Sequence, residues 1–268
     1  MKFILNKRMR GRRIVIVLVS RPERHRLFTR AAPLVAIAAS MSGLRRIGRR
    51  SGATAREAWK VLPGDELVGD PMWQSTRAIT INAPPEQVWP WIVQMGYPSH
   101  RAGWYTPHWL DRVTFGIKQR SADRIVSELQ RLAVGDRVPD SDDWSAFFTV
   151  EAVDPPHVLV LHSTRHVIKP IETIDFSWAF VIRELSSGKS RLLIRARTNY
   201  TPRWALPFVE LVIGPADFFN AGAMLRGIKQ RAESTAGRAV AADSTHTAAV
   251  VDADEPRLAE RVREVVSR

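Results

Sequence analysis

Apolar and polar positions alternate along several short stretches of this chain. Trp73, Ser75, Arg77, Ile79 and Ile81 share one face of a run over 73–82. Alternation of this kind marks a half-buried strand. The same reading predicts strands near 136–140, 146–153, 157–164, 174–184 and 190–199. Over 174–184 it puts Phe176, Trp178, Phe180 and Ile182 on one side. Asp154-Pro155-Pro156 and Ser186-Ser187-Gly188-Lys189 carry turn chemistry between neighbouring runs. Strands this close, with no helix between them, argue antiparallel pairing.

Helical periodicity appears in three places. Pro84-Pro85 stops the first strand and starts a helix over 85–95, with Glu86 in its first turn, where the helix dipole favours an acid. A second helix falls near 105–112. The third spans 205–233, with Phe218, Ala221, Leu225, Ile228 and Ala232 on one face. Gly214-Pro215 predicts a break or kink in it. A short helix from Ala53 to Lys60 precedes all of these and ends at Leu62-Pro63-Gly64. Residues 234–254 show no periodicity and read as a flexible tail, with a short helix over 255–268.

Charge divides the chain. Residues 1–60 hold 16 Lys/Arg against 2 Asp/Glu, a net of +14, whereas residues 61–268 come to −1. Residues 1–50 therefore read as a basic arm, flexible or lying on a membrane, with charge suited to anionic lipid headgroups or to non-specific nucleic-acid phosphates; the near-neutral remainder offers no reading helix, so no specific nucleic acid is expected. Its apolar runs, Ile14 to Val19 and Ala31 to Leu44, are shorter than the ~20 residues that span a bilayer. The expected location is cytoplasmic, with peripheral contact at the inner membrane face. There is no cysteine, so disulfides, thiolate nucleophiles and Cys-based metal sites are excluded.

The segment from Leu62 to Gly96 passes from strand through Ile81-Asn82-Ala83-Pro84-Pro85-Glu86-Gln87-Val88-Trp89 into helix. It resembles the opening of the polyketide cyclase/dehydrase and lipid-transport superfamily, also called START-like or SRPBCC. Gly103-Trp104-Tyr105, Trp109-Leu110-Asp111, Val134-Gly135-Asp136-Arg137-Val138, Arg195-Ala196-Arg197 with Tyr200, Gly214-Pro215-Ala216-Asp217-Phe218 and Met224-Leu225-Arg226-Gly227-Ile228-Lys229 extend the resemblance to an actinobacterial-type subgroup. It covers about 62–233, with 51–68 as a short helix and lead-in. The implied fold is α+β: a helix-grip, in which a curved antiparallel sheet wraps a long C-terminal helix and encloses a cavity.

Catalytic chemistry is sparse. No G-x-S-x-G elbow, phosphate-binding glycine loop or H-E-x-x-H is present. His162 and His166 lie four apart on an extended run, ~13 Å, which is too far for one zinc. Asp140, Asp142 and Asp143 read as a solvated loop. No metal and no cofactor is expected. The nine tryptophans are the stronger signal, because large aromatics with polar edges line pockets. Candidate cavity residues are Trp89, Trp104, Tyr105, Trp144, His162, Phe176, Trp178, Phe180, Arg197, Phe218 and Leu225. Arg195 and Arg197 share a strand face, which is either concave and ligand-facing or convex and solvated. The expected function is binding of a small to medium hydrophobic ligand, lipid-like or polyketide-like. A cyclase/aromatase using the same cavity and a membrane-peripheral protein acting through its arm are the alternatives.

Overall fold

In a computed structural model of the chain, the backbone is described for residues 3–9 and 12–18. Residues 49–166 and 170–237 are described with their side chains, Phe115 excepted. The proposed tail helix over 255–268 and the apolar run from Ala31 to Leu44 lie outside the described residues.

The chain forms two units, residues 1–47 and 48–268. In the first, β1 (Phe3–Met9) and β2 (Arg12–Leu18) pair antiparallel, Phe3 opposite Leu18 and Met9 opposite Arg12. The sequence pattern predicts no element here. The β-branched run Ile14-Val15-Ile16-Val17 does not alternate, yet it favours extended backbone.

In the second unit, α1 (Ala55–Trp59) is followed by β3 (Trp73–Ile81), α2 (Pro85–Val93) and α3 (His108–Phe115). Then come β4 (Arg137–Pro139), β5 (Phe147–Asp154), β6 (Val158–Ser163), β7 (Thr173–Leu185) and β8 (Lys189–Thr201). One helix, α4 (Arg203–Gly237), closes the unit. The six strands form one antiparallel sheet in the order β3-β8-β7-β6-β5-β4, with a bulge between Val150 and Ala152.

Helix α4 is not broken at Gly214-Pro215. Pro215 has no N–H to give to Leu211 and its ring crowds that carbonyl. The helix widens instead into a π turn over Val209–Ile213, and the Gly214 N–H reaches Val209 O.

The core lies between the inner sheet face and the helices. Phe180, Ile182, Leu192 and Ile194 meet Val88 and Ile92 of α2 and Leu225 and Ile228 of α4. The approach is close. A Cβ on Gly227 would lie 1.9 Å from Tyr105 O, so only glycine fits there.

The outer face is also covered. Leu62 packs on Ala78, Val181 and Leu193. Arg195, 2% exposed, is the clamp that holds residues 49–68 to the sheet. It donates to the carbonyls of Glu57, Ala58 and Lys60 at 3.0, 2.9 and 2.8 Å, to Thr76 Oγ1 at 3.0 Å and to Asp65 at 2.6 Å. The lead-in is therefore part of the folded unit, which begins before residue 62.

Candidate ligand cavity

One half of the sheet–helix interface is filled and the other is not, and side-chain size decides which. Around Phe180 and Ile182 the neighbouring strand supplies Ile194 and Leu192 in register. Around Phe176 and Trp178 it supplies only Thr198 and Ala196. Helix α4 presents Ala216 and Ala221 to that end. The space left over is a cavity of about 450 Å³. Trp104, Phe148, Phe176 and Trp178 make its aromatic wall: Trp104 and Trp178 are 5.4 Å apart by ring centroids, Phe148 and Phe176 5.5 Å. Trp73, Ile117, Ile171, Ile174, Val209, Ile213 and Met224 add to the apolar lining.

Polar groups enter at a few points. Asp217 of α4 faces Arg77 of β3, Nη2 to Oδ2 2.5 Å, and Arg77 Nη1 donates to Ser75 Oγ at 3.0 Å. Burial pushes the Asp217 carboxyl up, against the Arg77 guanidinium and Ser75 that draw it down. Asp111 is buried beside Thr106 Oγ1, which donates to it, and burial raises its carboxyl too. Among the described residues, nothing hydrogen-bonds the buried Tyr200 Oη or Asn220 Oδ1, and both residues line the cavity. Burial raises the Tyr200 phenol, so it stays neutral.

His166 closes one edge, its ring 4.7 Å from Phe148. Its Nε2 lies 2.9 Å from Asp140 Oδ2 and its Nδ1 2.9 Å from Ser163 Oγ. This Ser–His–Asp trio is not a nucleophilic triad. Ser163 is 4% exposed and donates its proton to Phe147 O at 2.6 Å.

Of the residues the sequence singled out, Trp104, Phe176 and Trp178 line the cavity. Trp89, Phe180 and Leu225 lie in the filled core. Tyr105 is also core: its ring meets Trp91 edge-on at 5.8 Å, and its hydroxyl accepts from Gln94 Nε2 at 2.8 Å. Phe218 is half-buried against Phe219, away from the lining. Trp144 is 42% exposed, 5.2 Å from the His100 ring.

His162 and Arg197 point the other way. Each sits one residue out of phase with the lining positions, on the outer face. His162 meets Asp175 at 2.7 Å. Arg197 donates to Val68 O at 2.9 Å and lies 3.3 Å from Asp65. Neither is a cavity residue, and Arg195 and Arg197 are not solvated either, because residues 49–68 cover them. In the acidic loop, hydrogen bonds from Ser145 and Ser141 hold the Asp143 carboxyl down at about 2. Among the described residues no group of three or more His, Asp or Glu is placed to hold a metal.

Sequence reasoning missed Ser75, Arg77, Asp111, Tyr200, Asp217 and Asn220. Two signals were available. Ser75 and Arg77 interrupt the apolar phase of Trp73, Ile79 and Ile81, so they had to point inward. Asp217 sits four residues before Ala221 on the helix face that meets the sheet.

No protein-family model matches this sequence, and no curated protein matches it. Among solved structures, protein MLL2253 from Mesorhizobium loti is similar at 18% identity over 61% of this chain and 98% of that one, with a TM-score of 0.36. Zhui aromatase/cyclase from Streptomyces sp. R1128 is similar at 12% identity over 60% and 93%, TM-score 0.37. The di-domain ARO/CYC BexL from the BE-7585A biosynthetic pathway is similar at 14% identity over 60% of this chain, TM-score 0.38. This chain spans 47% of BexL. With TM-scores this low, the chain's own topology carries the fold. A six-stranded antiparallel sheet with its first strand beside its last, two helices after that first strand and one long C-terminal helix across the inner face give this chain an α+β helix-grip fold.

Proposed function

We propose that this protein binds a small to medium hydrophobic molecule, lipid-like or polyketide-like, in the cavity between sheet and α4, to carry, sense or sequester it. The carrying observation is the unfilled space of about 450 Å³ walled by Trp104, Phe148, Phe176 and Trp178. Interiors close-pack, and a cavity of this size is a ligand's size rather than a packing fault. Tyr200 Oη and Asn220 Oδ1 support a ligand with a polar group, since a buried polar atom without a partner costs about 1–3 kcal/mol. The ligand is neutral: Asp111, Asp140, Asp142 and Asp217 are the acids of the lining and disfavour an anion, and Arg77 already serves Asp217.

A second reading has one observation in its favour. Two carboxyls facing the cavity, Asp111 and Asp217, are raised by burial, as a general acid would be. Both are engaged by neighbours, Thr106 and Arg77, so binding without turnover is the better reading.

The test is a titration of the full-length protein with the neutral fluorescent probe N-phenylnaphthylamine. One equivalent should bind and quench tryptophan emission. Ala221→Phe puts a ring into the cavity and should weaken binding at least ~10-fold at unchanged secondary structure. Equal affinity in the variant, or saturation at many equivalents, overturns the reading.

A further inference from the structure

The first half of α4 has two apolar faces. The inner one, with Val209, Ile213 and Ala221, walls the cavity. The outer one is open: Trp204 is 68% exposed, Leu211 56%, Val212 50% and Phe219 62%. These recur at spacings of seven and eight, so they form a stripe along the helix. Of the most apolar 18-residue window of α4, only 28% is buried. The helix is long and apolar enough by composition to cross a membrane. Yet Met224, Leu225 and Ile228 anchor it in the core, so it can lie on a bilayer but not thread it.

Charge identifies what covers the stripe. Between 203 and 219 the only acids are Glu210 and Asp217. Glu210 is paired with Arg49, and Asp217 faces Arg77 inside the fold. The stripe therefore presents no unpaired negative charge. Arg49 is also where the chain enters the folded unit, after 47 residues carrying 12 Lys/Arg and 1 Glu. A second copy carries an equally basic first 47 residues, and like charge opposes its docking. A bilayer of anionic lipid takes up the apolar stripe and attracts the arm together.

We propose that the outer face of α4 from Trp204 to Phe219 docks into the headgroup layer of an anionic membrane, which puts the cavity one helix thickness from the lipid. This goes beyond binding in the cavity and does not depend on it.

The experiment is flotation of the full-length protein with vesicles of equal phosphatidylglycerol and phosphatidylcholine. The triple variant Trp204→Ser, Leu211→Ser, Phe219→Ser should bind about 100-fold more weakly, since it removes three large apolar side chains from the contact. Its circular dichroism should match the parent's, and N-phenylnaphthylamine should still bind at one equivalent. If the triple variant does not fold, two milder measurements decide. Leu211→Asp should lose binding. Brominated phospholipid should quench the parent more than Trp204→Phe. Unchanged vesicle binding by the folded variants would show that the arm alone binds, and overturns the proposal. So does a parent dimer that the triple variant dissolves, or equal quenching of parent and Trp204→Phe.

Discussion

Replacing Arg195 by Met isolates what holds residues 49–68 to the sheet. Methionine keeps the unbranched stem and fills most of the space, so the change removes charge and donors rather than volume. Five hydrogen bonds are lost. Three α1-end carbonyls and the Asp65 carboxylate, 10% exposed, are left behind. Breaking one side of a buried ion pair costs about 3–5 kcal/mol. Arg197 stays 3.3 Å from Asp65, which places the expected loss near the bottom of that range, about 3 kcal/mol. In a unit of this size that is a fall of roughly 6–12 °C in Tm. Urea denaturation followed by circular dichroism measures it. Hydrogen exchange locates it: the Leu62 amide, which donates to Asp65 at 3.0 Å, should lose protection before the sheet does. Asp65→Asn added to Arg195→Met should cost much less than Asp65→Asn alone, because its partner is already gone. A loss under about 1 kcal/mol with Leu62 still protected would refute the clamp.

Two further outcomes are expected. The Arg191 guanidinium, with help from Thr54, holds the Glu57 carboxyl at about 2, below its ordinary 4.5. A depressed carboxyl stabilises the fold above its unfolded pKa and stops doing so as pH falls through its folded one. Glu57→Gln should therefore cost about 1.5 kcal/mol at pH 7, and its gap from the parent should close between pH 4.5 and 2; a gap constant over that window contradicts the pairing. Tyr200→Phe removes a buried hydroxyl that has no protein partner, so thermal stability should hold or rise by up to about 1 kcal/mol. The parent should prefer naphthol over naphthalene and the variant should lose that preference; a clear drop in stability instead would mean the hydroxyl is already satisfied.

Much of the architecture was legible because periodicity is a local property. Alternation over 174–184 and 190–199 announced β7 and β8, and the three- and four-residue recurrence from Phe218 to Ala232 announced α4. The same signals could not say which face of a strand is covered by what. Alternation places Arg195 and Arg197 together but treats the two faces of the sheet alike. That both lie under residues 49–68 depends on a contact more than a hundred residues away in sequence.

The cavity shows the same division. The sequence by itself determined that Phe176 and Trp178 share a strand face and that Ala221 and Leu225 share a helix face. It also determined that strong basicity is confined to the first sixty residues. Only the tertiary structure decided that Thr198 and Ala196, not larger side chains, stand beside Phe176 and Trp178, so that this end of the interface stays open. Only it brought Asp217 to Arg77, left Tyr200 Oη and Asn220 Oδ1 without a partner among the described residues, and set Gly227 against the backbone of Tyr105. Periodicity fixes the direction of a side chain relative to its own backbone. Whether that direction meets an ion pair, an open space or a neighbouring main chain depends on register and closure between distant segments, and no local pattern encodes those.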